Sequence, residues 1–339
     1  MAQPLLIWGA GAIGGTLGAY WARAGIDVLM VDINEDHAKA CSTSGLTIEG
    51  PVEHFTQLVQ TVTPAGLSGT FSRIVLAVKA QHTAAAVAQL APHLKEEGFV
   101  LSAQNGLNEL EISRRLSRDR TMGCFVNFGA DWQAPGRILL GNRGSVVVGE
   151  LDGAISERSR EVLDLLRIFE PEAILTDDIW GYLWGKLGYG AMLFATALTN
   201  ESMAENFARA ERTKIWITLG REVMAVANSQ GVTPKAFNGF SPQAFMPGAS
   251  DELARQSVAQ LADFNRHTAK THSGIWRDLA IRKRVTEVDP QVAVVADIGE
   301  AAGLETPALR RLVGLIHDIE EGRRRQSAET LQSLAEVCR

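Results

Sequence analysis

Gly9-Ala10-Gly11-Ala12-Ile13-Gly14 has the spacing GxGxxG. Where a main chain wraps a pyrophosphate, each glycine of such a turn has a separate task. The first permits the tight turn, the second lets the backbone approach the phosphates, and the third lets the following helix pack on its strand. The helix then presents N–H groups and the positive end of its dipole to the anion. Gly9, Gly11, Ala12, Ile13 and Gly14 are therefore candidate cofactor-binding residues. Asp32 closes the next apolar run, 23 residues after Gly9. A carboxylate there accepts hydrogen bonds from both hydroxyls of an adenosine ribose and repels a 2′-phosphate. NAD is the preferred cofactor on this reading. NADP remains admissible, because Arg23 and His37 lie nearby in sequence. The other reading of Asp32 is a cap on a helix that starts near Asn34 and Glu35.

Five more segments hold candidate chemistry. Lys79 closes the run RIVLAVK, and Gln104-Asn105-Gly106 follows another apolar run. Residues at the C-terminal ends of parallel strands face the ligand crevice, so Lys79, Gln104 and Asn105 are candidates for it. The alternatives are a surface lysine and a simple Asn-Gly turn. Lys186 lies beside the apolar stripe Trp180, Leu183, Trp184 and Leu187 on a helix that begins near Asp178. An ammonium there can protonate a forming alkoxide, although periodicity alone favours a surface lysine. Lys270 to Asp278 and Arg282 to Asp289 are rich in hydrogen-bonding side chains. They also read as a capped helix with a charged face. Thr286 can cap a helix that restarts at Glu287 and tolerates Pro290 in its first turns.

The elements that hold these residues alternate at first. Short apolar runs at Leu5–Trp8, Ile26–Val31, Arg73–Val78 and Phe99–Ala103 read as buried strands. Helix candidates follow at Ala10–Ala24, Gln81–Leu94 and Asn108–Leu116, and this alternation implies parallel β-α-β units. Met122–Phe128, Arg137–Leu140, Ser145–Val148 and Ala173–Leu175 read as further strands, and Ser156–Phe169 as a helix. After Asp177 nearly every segment has helical periodicity, and the stretch Asn238–Ser250 reads as a loop. The expected fold class is α/β: a Rossmann dinucleotide-binding domain over residues 1–177, then an all-α domain over 178–339 that binds substrate and dimerises.

Composition narrows the function. The chain has 339 residues, 46% hydrophobic and 21% charged, with a net charge of −6. That suits two packed cores and argues against a nucleic-acid surface or a polybasic membrane anchor. Cys41, Cys124 and Cys338 are far apart and form no CxxC pair, so neither a disulfide framework nor a metal site is expected. The glycine-interrupted N-terminus does not read as a signal peptide, and no apolar run spans a bilayer. The expectation is a cytoplasmic enzyme with a small-molecule substrate.

Taken in order, these pieces resemble the ketopantoate reductase family across nearly the whole chain. The landmarks are GAGAIG, VKA at Lys79, QNG at Gln104–Gly106 and APGRILLGNRGSVVVGE at Ala134–Glu150. WGKL at Trp184–Leu187, RDLAIRKRVTEVD at Arg277–Asp289 and GLETP at Gly303–Pro307 follow. The resemblance implies interconversion of a 2-keto acid and a 2-hydroxy acid between the two domains. It implies Lys186 as general acid and Glu287 as a carboxylate near substrate and cofactor. Lys79 and Asn105 would border the nicotinamide and substrate. Ser273 would lie near the substrate carboxylate, although its spacing to Glu287 is one residue longer than the family pattern. A helical second domain of this kind also implies a homodimer.

The chain departs from the family where Gly190 and Phe194 replace the usual asparagines four and eight residues after the lysine. Residues four apart share a helix face, so Lys186, Gly190 and Phe194 would form one row, with an apolar wall at Gly190 and Phe194; the other reading rotates the helix and puts Phe194 in the core. The expected substrate is bulkier or more apolar than ketopantoate. Two alternatives stand beside this reading: an authentic 2-dehydropantoate 2-reductase of pantothenate biosynthesis, and a dinucleotide-binding regulator that has lost turnover.

Overall fold

The computed structural model describes residues 3–237, 239–268 and 270–338. The chain divides into two compact units, residues 1–179 and 180–339. Strands of the first unit are β1 (Leu5–Trp8), β2 (Val28–Val31), β3 (Leu46–Glu49), β4 (Phe55–Gln57), β5 (Gln60–Val62) and β6 (Phe71–Leu76). They continue with β7 (Leu94–Ser102), β8 (Thr121–Val126), β9 (Gly129–Ala134), β10 (Arg137–Asn142), β11 (Val146–Glu150) and β12 (Ile174–Leu175). Its helices are α1 (Ala12–Arg23), α2 (Glu35–Thr43), α3 (Thr83–Leu90), α4 (Asn108–Leu116) and α5 (Glu157–Phe169).

Eight strands form one sheet in the order β12-β11-β8-β7-β6-β1-β2-β5. All neighbours are parallel except β11 and β8. The strand order reverses at β1, with β2 on one side and β6 on the other, which makes a Rossmann-type sheet with its ligand crevice at the carboxyl ends of these strands. Side chains of β1 alternate between two cores on opposite faces: Leu5 and Ile7 belong to one, Leu6 and Trp8 to the other.

A second sheet of four strands, β4-β3-β10-β9, was not legible in the sequence apart from β10. Its other members are short or partly exposed and so carry little periodicity. α1 packs between the two sheets through its glycines. A Cβ on Gly14 would fall 2.0 Å from the Gly9 carbonyl oxygen and 3.0 Å from Ile7, on the side of the large sheet. A Cβ on Gly15 would lie 2.6 Å from Ile138 and 3.3 Å from Leu46, in the small one. The expected helix Gln81–Leu94 is also corrected. Regular helix covers only Thr83–Leu90, Pro92 lies in the short turn that follows, and Leu94 already begins β7.

The second unit is helical: α6 (Ile179–Thr196), α7 (Met203–Ala208), α8 (Thr213–Ser229), α9 (Asp251–Arg266), α10 (Gly274–Arg277), α11 (Val294–Ala301), α12 (Pro307–Glu320) and α13 (Ala328–Ala335). π-helical turns extend α10 over Asp278–Arg282 and precede α11 over Asp289–Ala293. Among the described residues its β pairing is one isolated bridge, Phe237–Phe240. The expected loop Asn238–Ser250 contains a 3₁₀ turn at Pro242–Phe245; Asn238 lies outside the described residues. Trp216, Phe194, Phe240 and Phe245 are fully buried. The Glu222 carboxylate caps α12 from α8, accepting from the N–H groups of Ala308 (2.9 Å) and Leu309 (2.8 Å). Among the described residues no helix is long and apolar enough to cross a membrane.

Candidate active site

The glycine turn joins β1 to α1 at the point where the strand order reverses. Gly9 has φ +103°, and a Cβ on it would meet the main chain of Ala77 and Val78 at 2.8–3.0 Å. Only glycine fits there, and the contact brings the turn against the segment that leads to Lys79. Gly11 is the opposite case, since a Cβ on it would meet nothing within 4 Å. That open face is the space a pyrophosphate would fill. α1 starts at Ala12 without a side-chain cap, so its first N–H groups, at Ala12, Ile13 and Gly14, have no intrahelical acceptor.

Asp32 follows β2 and is half-buried. Its carboxylate accepts from the N–H of Ala10 at 3.0 Å and from the N–H of Asn34 at 2.9 Å. The cap of α2 is Asn34, whose Oδ1 accepts from the N–H of His37 at 2.9 Å. An ionised carboxylate has about four acceptor positions, so Asp32 can anchor the turn and still accept from ribose hydroxyls. The two nearby basic residues are engaged elsewhere. Arg23 pairs with Glu53 and lies over the Phe55 ring at 4.4 Å, and His37 is fully buried.

Lys79 and Asn105 are half-buried at the carboxyl ends of β6 and β7. Gln104 has a different place from the one its position in the sequence suggested. Its amide nitrogen donates inward to the Val78 carbonyl (2.9 Å) and to the Thr83 hydroxyl (2.8 Å). Thr83 donates to Asn108 Oδ1 at 2.8 Å, and Asn108 Nδ2 donates to the Asn105 carbonyl at 2.7 Å. This buried chain ties the Lys79 loop to the Asn105 loop. Gln104 thus positions its neighbours, with both amide protons already used. Behind it, at the start of α4, Glu109 is fully buried, and neither carboxyl oxygen has a hydrogen-bond partner among the described residues. Burial pushes its pKa up to about 7. In sequence it looked like an ordinary acidic residue in a first helical turn, and only burial sets it apart.

On α6 the least buried residues are Trp180, Tyr182, Lys186, Tyr189, Gly190 and Leu193. Phe194 has no exposed surface, which corrects the expected wall. At 3.6 residues per turn, a residue eight positions on is rotated about 80° from Lys186, whereas one seven positions on is within about 20° of it. Leu193, not Phe194, continues the open stripe. The glycines of this helix also differ. A Cβ on Gly185 would lie 2.4 Å from the Lys235 carbonyl oxygen, and one on Gly188 would lie 2.6 Å from Met224. A Cβ on Gly190 would meet only Gln291 Oε1, at 3.9 Å. Packing requires the first two glycines and leaves Gly190 with room beside it.

Gln291 lies one turn beyond Glu287, and its N–H donates to the Glu287 carbonyl at 3.2 Å. The contact with Gly190 therefore brings the Glu287 segment alongside α6, with Lys186 and Glu287 each one turn from it. The segment is well held. Lys283 takes a left-handed conformation at φ 50°, Arg282 and Arg284 both donate to Asp278, and Glu320 accepts from the Thr286 N–H at 2.7 Å. Thr286 Oγ1 accepts from Val288 N–H at 3.3 Å. Ser273 is buried and caps α10, accepting from Trp276 N–H at 3.2 Å. Its hydroxyl proton remains available to a carboxylate.

A reversing parallel sheet, an open glycine turn and a carboxylate after the second strand define a protein that binds a nicotinamide dinucleotide, and the residues present fit that cofactor. The family description Ketopantoate reductase PanE/ApbA matches residues 5–153, and Ketopantoate reductase PanE/ApbA C terminal matches residues 178–320. The chain is 26% identical to a 2-dehydropantoate 2-reductase of Streptococcus pyogenes serotype M3, over 92% of this chain and 96% of that one. It is 30% identical to that of Pyrococcus abyssi, with the same coverage. A solved D-mandelate dehydrogenase with NADH and anilino(oxo)acetate shares the fold at TM-score 0.82 and 20% identity, covering 94% of this chain and 99% of that one. A PanE/ApbA family ketopantoate reductase from Ralstonia eutropha JMP134 does so at 0.78 and 23%, covering 95% and 99%. The chain belongs to the ketopantoate reductase family and is an NAD(P)-dependent oxidoreductase.

Proposed function

We propose that this enzyme interconverts a 2-keto acid and its 2-hydroxy acid, prefers NAD(H), and takes a substrate bulkier or more apolar than ketopantoate. The arrangement on α6 carries the reading: Lys186 stands one turn before Gly190, whose open side faces Gln291 of the Glu287 segment at 3.9 Å. A nicotinamide held at the glycine turn would supply hydride to the carbonyl carbon. Lys186 Nζ gives its proton to the oxygen as the alkoxide forms, and water restores that proton. Glu287 orients Lys186, the substrate or the nicotinamide, and the Ser273 hydroxyl donates to the substrate carboxylate. Gly190 and Leu193 offer space and apolar surface but no amide for a substrate hydroxyl.

Asp32 supports the preference for NAD(H), and Ile33 beside it, 80% exposed, offers apolar surface to the adenine. A homodimer and a cytoplasmic location belong to the same proposal. The test is NADH-dependent reduction of 2-keto acids graded in size and polarity, with ketopantoate and an aryl-glyoxylate among them. The fold neighbour crystallised with anilino(oxo)acetate motivates the aryl arm. A clear optimum on ketopantoate would instead support the second reading, an authentic 2-dehydropantoate 2-reductase, which the names of the full-length relatives favour.

A further inference from the structure

His37 is fully buried on α2, and every polar atom of its ring is used. Nδ1 faces two donors, the Gly136 N–H at 2.9 Å and the Trp132 indole N–H at 3.3 Å. It must accept, so the ring proton sits on Nε2 and is donated to the Ala10 carbonyl at 2.8 Å. The β9–β10 turn that supplies Gly136 is itself fixed, since its carbonyl accepts from Thr47 N–H at 2.8 Å and a Cβ on Gly136 would already be 3.0 Å from Ala40. The imidazole thus runs from the small sheet to the middle of the glycine turn.

The Ala10 carbonyl belongs to the same planar trans peptide as the Gly11 N–H, and in such a unit the two groups point in opposite directions. Drawing the carbonyl inward onto His37 turns the Gly11 N–H away from it. Asp32 holds the preceding N–H of Ala10 at 3.0 Å. The residues on either side of Ala10 are glycines, which resist rotation of this peptide least. We infer that His37 is a positioning residue for the cofactor: its buried imidazole fixes the Ala10–Gly11 peptide so that the Gly11 N–H is presented to the dinucleotide pyrophosphate. The inference rests on the glycine turn being the pyrophosphate site.

Two substitutions divide the imidazole's functions. Gln places an N–H donor near the Nε2 position and can keep the tie to Ala10. Asn places an acceptor near the Nδ1 position and keeps only the tie to Gly136. Binding of NADH, ADP-ribose and adenosine is measured directly by titration, with the thermal unfolding midpoint recorded for each protein. The expected result is a Kd for NADH and ADP-ribose weakened about tenfold in His37→Asn, near native in His37→Gln, and unchanged for adenosine in both. Equal affinity of the native protein and His37→Asn would overturn the inference. So would a folded His37→Gln that loses ADP-ribose as His37→Asn does, or a loss that extends equally to adenosine. If His37→Asn fails to fold, the ADP-ribose and adenosine affinities of His37→Gln still decide. Failure of the native protein to bind NADH or ADP-ribose would instead remove the dinucleotide reading on which the inference rests.

Discussion

One oxygen of the Asp32 carboxylate lies 3.0 Å from the main-chain nitrogen of Ala10, joining the end of β2 to the turn that follows β1. On the proposed reading Asp32 acts on the cofactor in two ways: by contact with the ribose and by holding the turn. Asp32→Ser is expected to lower kcat/KM for NADH more than for NADPH and so narrow the preference. The check is kcat/KM with both cofactors on one active keto acid. A native preference for NADPH would contradict the role given to Asp32.

Lys186→Ala is expected to lower kcat by on the order of 10², the scale of a lost acid–base group, while the Kd for NADH stays near native. Stopped-flow hydride transfer and a fluorescence titration separate the two. Glu287→Gln should also lower kcat. Near-native turnover in Lys186→Ala would make the lysine structural.

Gly190 has room for a Cβ, with Gln291 Oε1 the nearest atom at 3.9 Å. Gly190→Ala should therefore stabilise the protein, by up to about 1 kcal/mol, by removing a mid-helix glycine. Gly190→Asn with Leu193→Asn should shift the keto-acid preference toward smaller, hydroxylated substrates. Denaturant midpoints and a substrate panel are the readouts. A uniform loss on all substrates would remove Gly190 and Leu193 from the pocket.

Burial holds the Glu109 carboxyl at about 7, against an ordinary value of 4.5. The unfolded chain releases this proton near pH 4.5, and the folded protein keeps it until near pH 7. Between those values the folded state binds more protons, so stability falls as pH rises and levels off above about 7. The contribution is roughly 3 kcal/mol across the window. Glu109→Gln should remove this slope and gain on the native protein between pH 5 and pH 8 in urea unfolding. Parallel pH curves for the two proteins would count against an ionisable Glu109 in this range.

Much of the first unit could be read along the chain, because its signals are local. Gly9, Gly11 and Gly14 with Asp32 need only fixed spacing between a strand and a helix, and the apolar runs of β1, β2 and β6 are short and sharply bounded. Periodicity around WGKL placed Lys186 on a long helix, whereas the role proposed for it came from the family resemblance. The small sheet was not legible, because β3, β4 and β9 are short or half-exposed, which leaves weak alternation, and β3 meets β10 across 90 positions, Thr47 beside Arg137.

Tertiary structure decided what each side chain faces, which depends on burial and on partners distant in sequence. His37 and Gly136 are 99 positions apart and share a hydrogen bond; no local pattern encodes that. Gln104 turns inward because Thr83 and Val78 wait for its amide, and Glu109 is unusual only because packing removes its water. On α6, the sequence placed Phe194 in a row with Lys186, but rotation accumulated over two turns carries it into the core and leaves Leu193 on the open stripe. Helix type and chemistry were written locally. The phase of each face against its neighbours was set by packing, the one arrangement that buries the large apolar side chains while leaving Gly190 room.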